Sequence, residues 1–222
     1  MNAICENSYY DICSCKKKYH LPLTLPLYDG HCHVDLFFKY GLNKNDFNMQ
    51  LAHGRKIILI DNRHQYQHWF KNYEVENLNA KIVTTYGIHP KYLPTNRDTI
   101  LHQMENIFKN KFNLKTKTVA IGECGLDSTS RFTYDYQLYI LKFQLILAAE
   151  LQIPVVLHGR GENSFLIIFN ELKEHLKPNH NIHWHCVNPH SDLHIITNFL
   201  NYFENGYIGL NGLLINQILS IV

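Results

Sequence analysis

Two histidines, His31 and His33 in the stretch YDGHCHVDLF, have a type and a spacing that could do chemistry. Side chains two positions apart in a β-strand project from the same face, so both imidazoles could reach one metal ion while Cys32 points to the opposite face. An HxH pair also occurs as two unrelated core histidines, and the chain has 15 histidines in all. The pair therefore indicates a metal site only if further ligands lie beside it in the fold.

Short apolar runs alternate with longer segments along most of the chain. From Leu25 onward, seven runs rich in β-branched or apolar residues are each followed by a segment of helical or loop character, which indicates β/α units. The predicted strands are Leu27–Val34, Lys56–Asp61, Lys81–Gly87, Thr118–Glu123, Ile153–His158, Asn181–Cys186 and Gly206–Asn211. The predicted helices include Tyr134–Leu151, Gly161–Leu176 and Ser191–Phe203. Parallel strands joined in this way form a covered sheet or a closed barrel, so we predict an α/β fold, a TIM-type (β/α) barrel.

The functional residues of such barrels collect where the carboxyl ends of the strands meet the following loops. The ends of four predicted strands carry five metal-type ligands: His31, His33, Glu123, His158 and His185. A catalytic site with one zinc ion takes about three protein ligands plus water, which is fewer than these five. We therefore predict two divalent ions bridged by Glu123, an arrangement suited to hydrolysis. His183 shares a face with His185 but lies farther from the rim, so we predict that it packs below the site or supports a ligand.

The composition is that of a single globular domain. The 222 residues are 45% hydrophobic, and a formal net charge of +2 gives no strong field, so any contact with phosphates must be local. No apolar run reaches the roughly 18 residues of a membrane span and the N-terminus lacks a signal-peptide pattern, so we expect no membrane association and an intracellular protein, cytoplasmic or nuclear. The six cysteines are spread over the chain, which favours reduced thiols.

Two segments are expected from this pattern. Residues 1–24 precede the first β/α unit and are predicted to be a poorly ordered N-terminal extension, whose three cysteines match no CxxC zinc pair. Residues 25–222 are predicted to form the barrel.

Six motifs in this order resemble those of the TatD-related metal-dependent deoxyribonucleases, a branch of the amidohydrolase-like TIM barrels. The motifs are DGHCHVDLF, YGIHP, AIGECGLD, QLILAAELQIPVVLHGRG, IHWHC and YIGLNG. The resemblance runs from about Leu27 to Asn211, which is most of the chain. HxH alone is unspecific, but GECGLD followed by an apolar helix, PVVLH and HWHC at barrel spacing is highly specific.

The resemblance implies a metal-binding role for each of the five predicted ligands. It assigns His31 and His33 to one ion, His158 and His185 to the other, and Glu123 to both, which makes Glu123 the residue that we expect to be catalytic.

The resemblance also implies two residues that face the substrate phosphate, His89 in GIHP and Arg160 after His158. The planar guanidinium of an arginine meets phosphate oxygens in a bidentate manner. Asp127 in GLD is expected to fix the loop after the fourth strand rather than to perform chemistry. The sequence HCVNP stands where the family has an aromatic residue, Thr and Gly, so the substrate contacts of that loop stay open.

The C-terminal segment departs from the family pattern. Family members continue to an eighth strand, whose aspartate binds metal beside the HxH pair and orients the water, whereas Leu210–Val222 contains no Asp or Glu. We therefore expect a barrel without the eighth strand and the final helix. Loss of a positioned general base commonly lowers the rate by about 10² to 10⁴. The open edges of the first and seventh strands would also allow self-association.

The first functional hypothesis is a metal-dependent hydrolase that cleaves phosphodiester bonds of DNA, in the manner of a 3′-to-5′ exonuclease, with activity reduced or lost through the missing aspartate. DNA would be its partner, with no stable protein partner. Its ions would be zinc, favoured by imidazole ligands, or magnesium or manganese, which often serve phosphoryl transfer. One alternative is a truncated, inactive isoform or fragment that at most binds metal or nucleic acid. The other is an amidohydrolase-like enzyme that acts on an ester or amide outside nucleic acids.

Overall fold

Seven parallel strands pair in chain order, each with the next, in a computed structural model that describes residues 27–39, 56–71, 80–109, 118–188 and 190–210. The strands are β1 (Leu27–Cys32), β2 (Ile57–Arg63), β3 (Ala80–Tyr86), β4 (Thr118–Asp127), β5 (Val155–Arg160), β6 (Ile182–Val187) and β7 (Gly206–Leu210). The helices are α1 (Val34–Lys39), α2 (Arg97–Lys109), α3 (Tyr134–Leu151), α4 (Ser164–His175) and α5 (Leu193–Tyr202), with a 3₁₀ turn at Tyr66–His68. This alternation confirms the predicted α/β barrel type.

The sheet curls until its two ends approach each other. The ring of His31 on β1 stacks on that of His185 on β6, with 3.8 Å between the centroids and 8° between the planes. Seven strands of a parallel sheet can bring their first and sixth members this close only in a nearly closed barrel. In the described ranges β1 and β7 each pair with one strand, and residues 1–24 and 211–222, on which the predictions of an extension and of a missing eighth strand fall, lie outside those ranges.

The first strand ends earlier than the sequence predicts. We expected it to reach Val34, but it ends at Cys32, and α1 begins two residues later. The carboxylate of Asp61 on β2 accepts the backbone N–H of Val34 at 3.0 Å, and this contact fixes the first turn of α1. His33 therefore lies between the strand and the helix. The two-residue period of a strand does not determine where its side chain points.

Two other elements also differ from the prediction. Strand β4 continues past its predicted end at Glu123 to Asp127, and the whole of this extension is buried. Helix α2 was not predicted, although Leu101, Met104 and Phe108 form its buried stripe at helical spacing. Helix α3 has the predicted bounds, with the Thr133 side chain accepting the N–H of Tyr136 as its N-cap.

The main core lies between the sheet and the helices, where the outward-facing side chains of the strands meet α3, α4 and α5. Trp184 on β6 is fully buried there; its ring stacks on Phe165 of α4 at 5.4 Å and meets Phe199 of α5 edge-on at 5.2 Å. Trp184 separates His183 and His185 in the sequence, so the packing that anchors β6 also fixes the position of these two histidines along the barrel axis.

Among the helices of the described ranges, none has the length and apolar character of a membrane span.

Candidate metal centre

The carboxylate of Glu123 lies at the centre of the five predicted ligands. Its side chain, near the middle of β4, is 2% exposed. One oxygen, Oε2, lies 3.5 Å from Nε2 of His31 and 3.6 Å from Nε2 of His33. The other, Oε1, lies 2.9 Å from Nδ1 of His158 and contacts Nε2 of His185. The structure thus brings all five residues together, with one carboxylate oxygen facing each pair of histidines.

Close packing of two strands brings Glu123 and His158 to the same depth. Gly125 on β4 has a φ of +152°, and a Cβ added there would lie 1.8 Å from the carbonyl oxygen of His158 on β5. Any side chain at this position would push the two strands apart. Only glycine therefore allows β4 and β5 to approach closely enough for Glu123 and His158 to meet.

Hydrogen bonds on the far side of two rings select the nitrogen that faces Glu123. The Nδ1 of His33 lies 2.8 Å from the carbonyl oxygen of Asn62, so Nδ1–H donates to it and Nε2 carries the lone pair. The Nε2 of His158 lies 3.1 Å from Oδ2 of Asp127, so Nε2–H donates to it and Nδ1 is the nitrogen that faces Glu123. In metal sites, acceptors placed behind histidine ligands orient them in this way.

Asp127 is a site residue whose second contact the sequence did not reveal. It is fully buried at the end of β4, and its Oδ1 accepts the backbone N–H of Thr129 at 2.8 Å, which agrees with the predicted role in fixing the loop. Its Oδ2, however, faces both His158 and the Nζ of Lys91, the latter at 3.4 Å. A buried strand that ends in Asp, beside a strand that ends in a His-containing motif, is the sequence signal that could have revealed this pair.

His89, predicted to face a phosphate, lies against the carboxylate. Its Nε2 is 3.5 Å from Oε1 of Glu123, and its Nδ1 accepts the backbone N–H of Lys91 at 3.1 Å. Because Nδ1 accepts, the proton of the neutral ring is on Nε2, which makes His89 a hydrogen-bond donor to an anionic oxygen and a poor metal ligand.

Arg160 and His183 stand at the edges of this cluster. Arg160, the last residue of β5, has an exposed side chain and pairs in register with Asp127. His183 lies next to His31, with 6.5 Å between the ring centroids, and a Cβ added at Gly209 would be 2.7 Å from its Nε2.

Burial sets the charge of several groups in the cluster. Burial lowers the pKa of His64 to about 4 and that of His89 to about 3, so both rings are neutral at pH 7. Burial also lowers the pKa of His158, but the hydrogen bond to Asp127 and the contacts with Glu123 outweigh it and raise the pKa to about 9. Burial raises the pKa of Glu123, but the surrounding histidines, His185 foremost, outweigh it and hold the pKa well below its ordinary value.

Two buried glutamines of α3 fix the loops on which these residues lie. Gln144 accepts the N–H of Ile88 at 2.8 Å and donates to its carbonyl at 3.2 Å, next to His89. Gln137, two turns earlier on the same face, accepts the N–H of Asp127 at 2.8 Å and donates to its carbonyl at 3.2 Å. Each side-chain amide thus bonds both the N–H and the C=O of one residue beside the site, as the backbone of a neighbouring strand would.

Gln144→Leu is expected to lower the free energy of unfolding by about 2 to 6 kcal/mol, because the buried N–H and C=O of Ile88 lose their partners and each such loss costs about 1 to 3 kcal/mol. Chemical denaturation measures the change. Gln103→Leu, at an exposed position of α2, is the matched control and should change stability little. Equal stability of the two variants would contradict the role assigned to Gln144.

The donor set suits divalent cations. Neutral imidazole nitrogens with an ionised carboxylate are the ligands that zinc and related ions take in proteins. Ligand atoms of His31, Glu123 and His185 lie within 4.8 Å of one another, and those of His33 and His158 lie 3.6 and 2.9 Å from the carboxylate of Glu123. The hydrogen bonds behind His33 and His158 hold the second nitrogen of each ring toward Glu123, where a cation would take the place of the Nδ1 proton of His158. The arrangement therefore has the ligands to bind divalent cations around Glu123.

Comparisons with known proteins agree with this description. The family model for TatD-related DNases matches residues 28–218. A protein of Methanocaldococcus jannaschii named as an uncharacterized metal-dependent hydrolase is 30% identical over 134 residues, which are 60% of this chain and 50% of that protein. A protein of Pantoea sp. named 3′-5′ ssDNA/RNA exonuclease TatD is 38% identical over 78 residues, which are 35% of this chain and 28% of that protein.

Among solved structures, the crystal structure of YjjV, a TatD homologue from Escherichia coli K12, superimposes with a TM-score of 0.56 and 25% identity, over 82% of this chain and 66% of that chain. The chain spans about half the length of the archaeal relative that it matches. The family match covers most of the chain, including all the residues around Glu123. The chain therefore belongs to the TatD-related DNase family.

Proposed function

We propose that the chain is a metal-dependent phosphodiesterase that shortens single-stranded DNA from its 3′ end. The observation that carries the proposal is that the two carboxylate oxygens of Glu123 face different histidines. Oε2 faces His31 and His33, and Oε1 faces His158 and His185. A pair of divalent cations, when bound, would activate water and stabilise the charge on the phosphoryl oxygens. The name of the Pantoea relative supports a nucleic-acid substrate.

The residues around the cations would bind and orient the phosphate. The Nε2–H of His89 points into the cluster and would donate to a non-bridging oxygen. Arg160, exposed at the rim, would contact the phosphate from solvent. Asp127 would hold the His158 ring in one orientation through Nε2–H, so that Nδ1 stays directed at the carboxylate and could coordinate a cation once its proton is lost. Together with the exposed guanidinium of Arg160, these donors favour an anionic substrate over a neutral ester or amide.

The test is an assay on a 5′-labelled single-stranded oligonucleotide with zinc, magnesium or manganese added in turn. We expect a ladder of products shortened from the 3′ end. In Arg160→Ala, kcat/KM should fall about 10- to 100-fold, because a hydrogen bond to a charged group contributes about 1.5 to 3 kcal/mol. The matched control is Arg97→Ala, which removes an arginine that pairs with Asp98 on α2; its activity should equal that of the wild type.

Three outcomes would contradict the proposal in different ways. Metal binding without cleavage would support the alternative of an inactive binding form. Hydrolysis of esters or amides without cleavage of DNA would support the amidohydrolase alternative. Full activity in Arg160→Ala would remove Arg160 from the substrate site.

A further inference from the structure

His64 is a buried histidine beside the metal centre that has no role in the proposed function so far. It follows β2 directly and is 7% exposed. Its ring lies 4.2 Å from that of His33, centroid to centroid, and among the described residues the rings of His89 and Tyr92 also lie close, at 5.6 and 5.3 Å. One ring nitrogen of His64, one of His33 and an oxygen of Glu123 lie within 4.8 Å of one another.

One backbone carbonyl orients both rings. The carbonyl oxygen of Asn62 lies 2.8 Å from Nδ1 of His33 and 3.2 Å from Nδ1 of His64. Protons on both Nδ1 atoms leave the lone pairs on both Nε2 atoms. Asn62 is itself fully buried, and its side chain donates to the carbonyl of Ile60 at 2.9 Å and accepts from Thr85 at 2.9 Å. This rigid residue therefore prepares His64 for metal binding in the same way as it prepares His33.

The Nε2 of His64 has a partner that a cation could displace. The side-chain nitrogen of Gln65 lies 3.3 Å away, at the long end of the hydrogen-bond range, and Gln65 is partly exposed. Its amide can turn to water at little cost. An anchored Nδ1–H, a displaceable partner at Nε2 and a ring nitrogen within 4.8 Å of Glu123 together suit a metal ligand.

We propose that His64 is a further nitrogen ligand of the cation on the His31 and His33 side, and that it biases this side toward zinc over magnesium. The inference rests on the proposed function, since it requires a cation beside Glu123. With His64 the side offers three imidazoles and one carboxylate oxygen. Magnesium takes oxygen ligands and retains water, whereas imidazole suits zinc and its neighbours in the first transition series.

Calorimetric titration with zinc and with magnesium tests the preference on the full chain. In His64→Gln, zinc affinity on this side should fall about 10- to 100-fold or more, whereas magnesium affinity should change little. His102→Gln is the matched control, because it removes an exposed histidine of α2 and should leave both affinities unchanged. Equal zinc affinity in His64→Gln and wild type would overturn the inference while the two-ion site stands, and a wild type that binds no zinc would overturn both.

A direct readout on the wild-type chain covers the case in which His64→Gln does not fold. Loading with ¹¹³Cd as a zinc substitute should give a one-bond coupling between the metal and a ring ¹⁵N of His64, as for His31 and His33. Couplings on His31 and His33 without one on His64 would overturn the inference.

Discussion

Glu123→Gln should lower the rate of DNA cleavage by at least about 10³-fold and leave the chain unable to hold two ions at once. Glutamine keeps the shape of the side chain but removes the charge that Oε1 and Oε2 share between the two histidine pairs. The stabilisation of transition-state charge by one bound ion amounts to several kcal/mol, and about 4 kcal/mol corresponds to 10³-fold in rate. Metal content after dialysis and kcat/KM on the labelled oligonucleotide measure the two effects.

The matched control for this variant is Glu171→Gln. Glu171 is another largely buried glutamate, on α4, where it pairs with Lys142 at 3.2 Å and His175 at 3.3 Å, away from the barrel mouth. Its replacement should leave the activity and the binding of ions beside Glu123 unchanged. Retention of two ions and of full activity in Glu123→Gln would contradict the assignment of Glu123 as the bridging and catalytic residue.

Trp184→Ala should lower the free energy of unfolding by about 3 to 5 kcal/mol. The loss of a fully buried aromatic ring combines a lost transfer free energy with a cavity between β6, α4 and α5. Chemical denaturation followed by circular dichroism measures it. Phe70→Ala is the control, since its ring is 75% exposed and its removal should change stability by less than about 0.5 kcal/mol. A small effect at Trp184 would show that the core does not anchor β6 as described.

The sequence predicted which residues meet around Glu123 better than it predicted where the strands that hold them end. Strand ends of a parallel barrel share one face, so His31, Glu123, His158 and His185 had to converge once the strands were recognised. The end of β1 was wrong because it depends on the carboxylate of Asp61, 27 residues later in the chain. No local pattern around His33 contains this contact.

The roles of the surrounding histidines depend on hydrogen bonds that the sequence does not encode locally. His89 and His64 are both buried beside Glu123, yet the backbone N–H of Lys91 makes one a donor and the carbonyl of Asn62 makes the other an acceptor toward the cluster. Neither tautomer follows from the motif in which the residue stands. Asp127 was missed as a partner of His158 for a related reason, because β4 runs beyond its predicted end.

Anomalous diffraction from crystals of the chain grown with zinc would test most directly whether the two oxygens of the Glu123 carboxylate bind two different ions. We expect two anomalous peaks, one beside Oε2 with His31 and His33 and the other beside Oε1 with His158 and His185. A single peak away from Glu123, for example at Glu171 and His175, or none at the mouth of the barrel, would contradict the account.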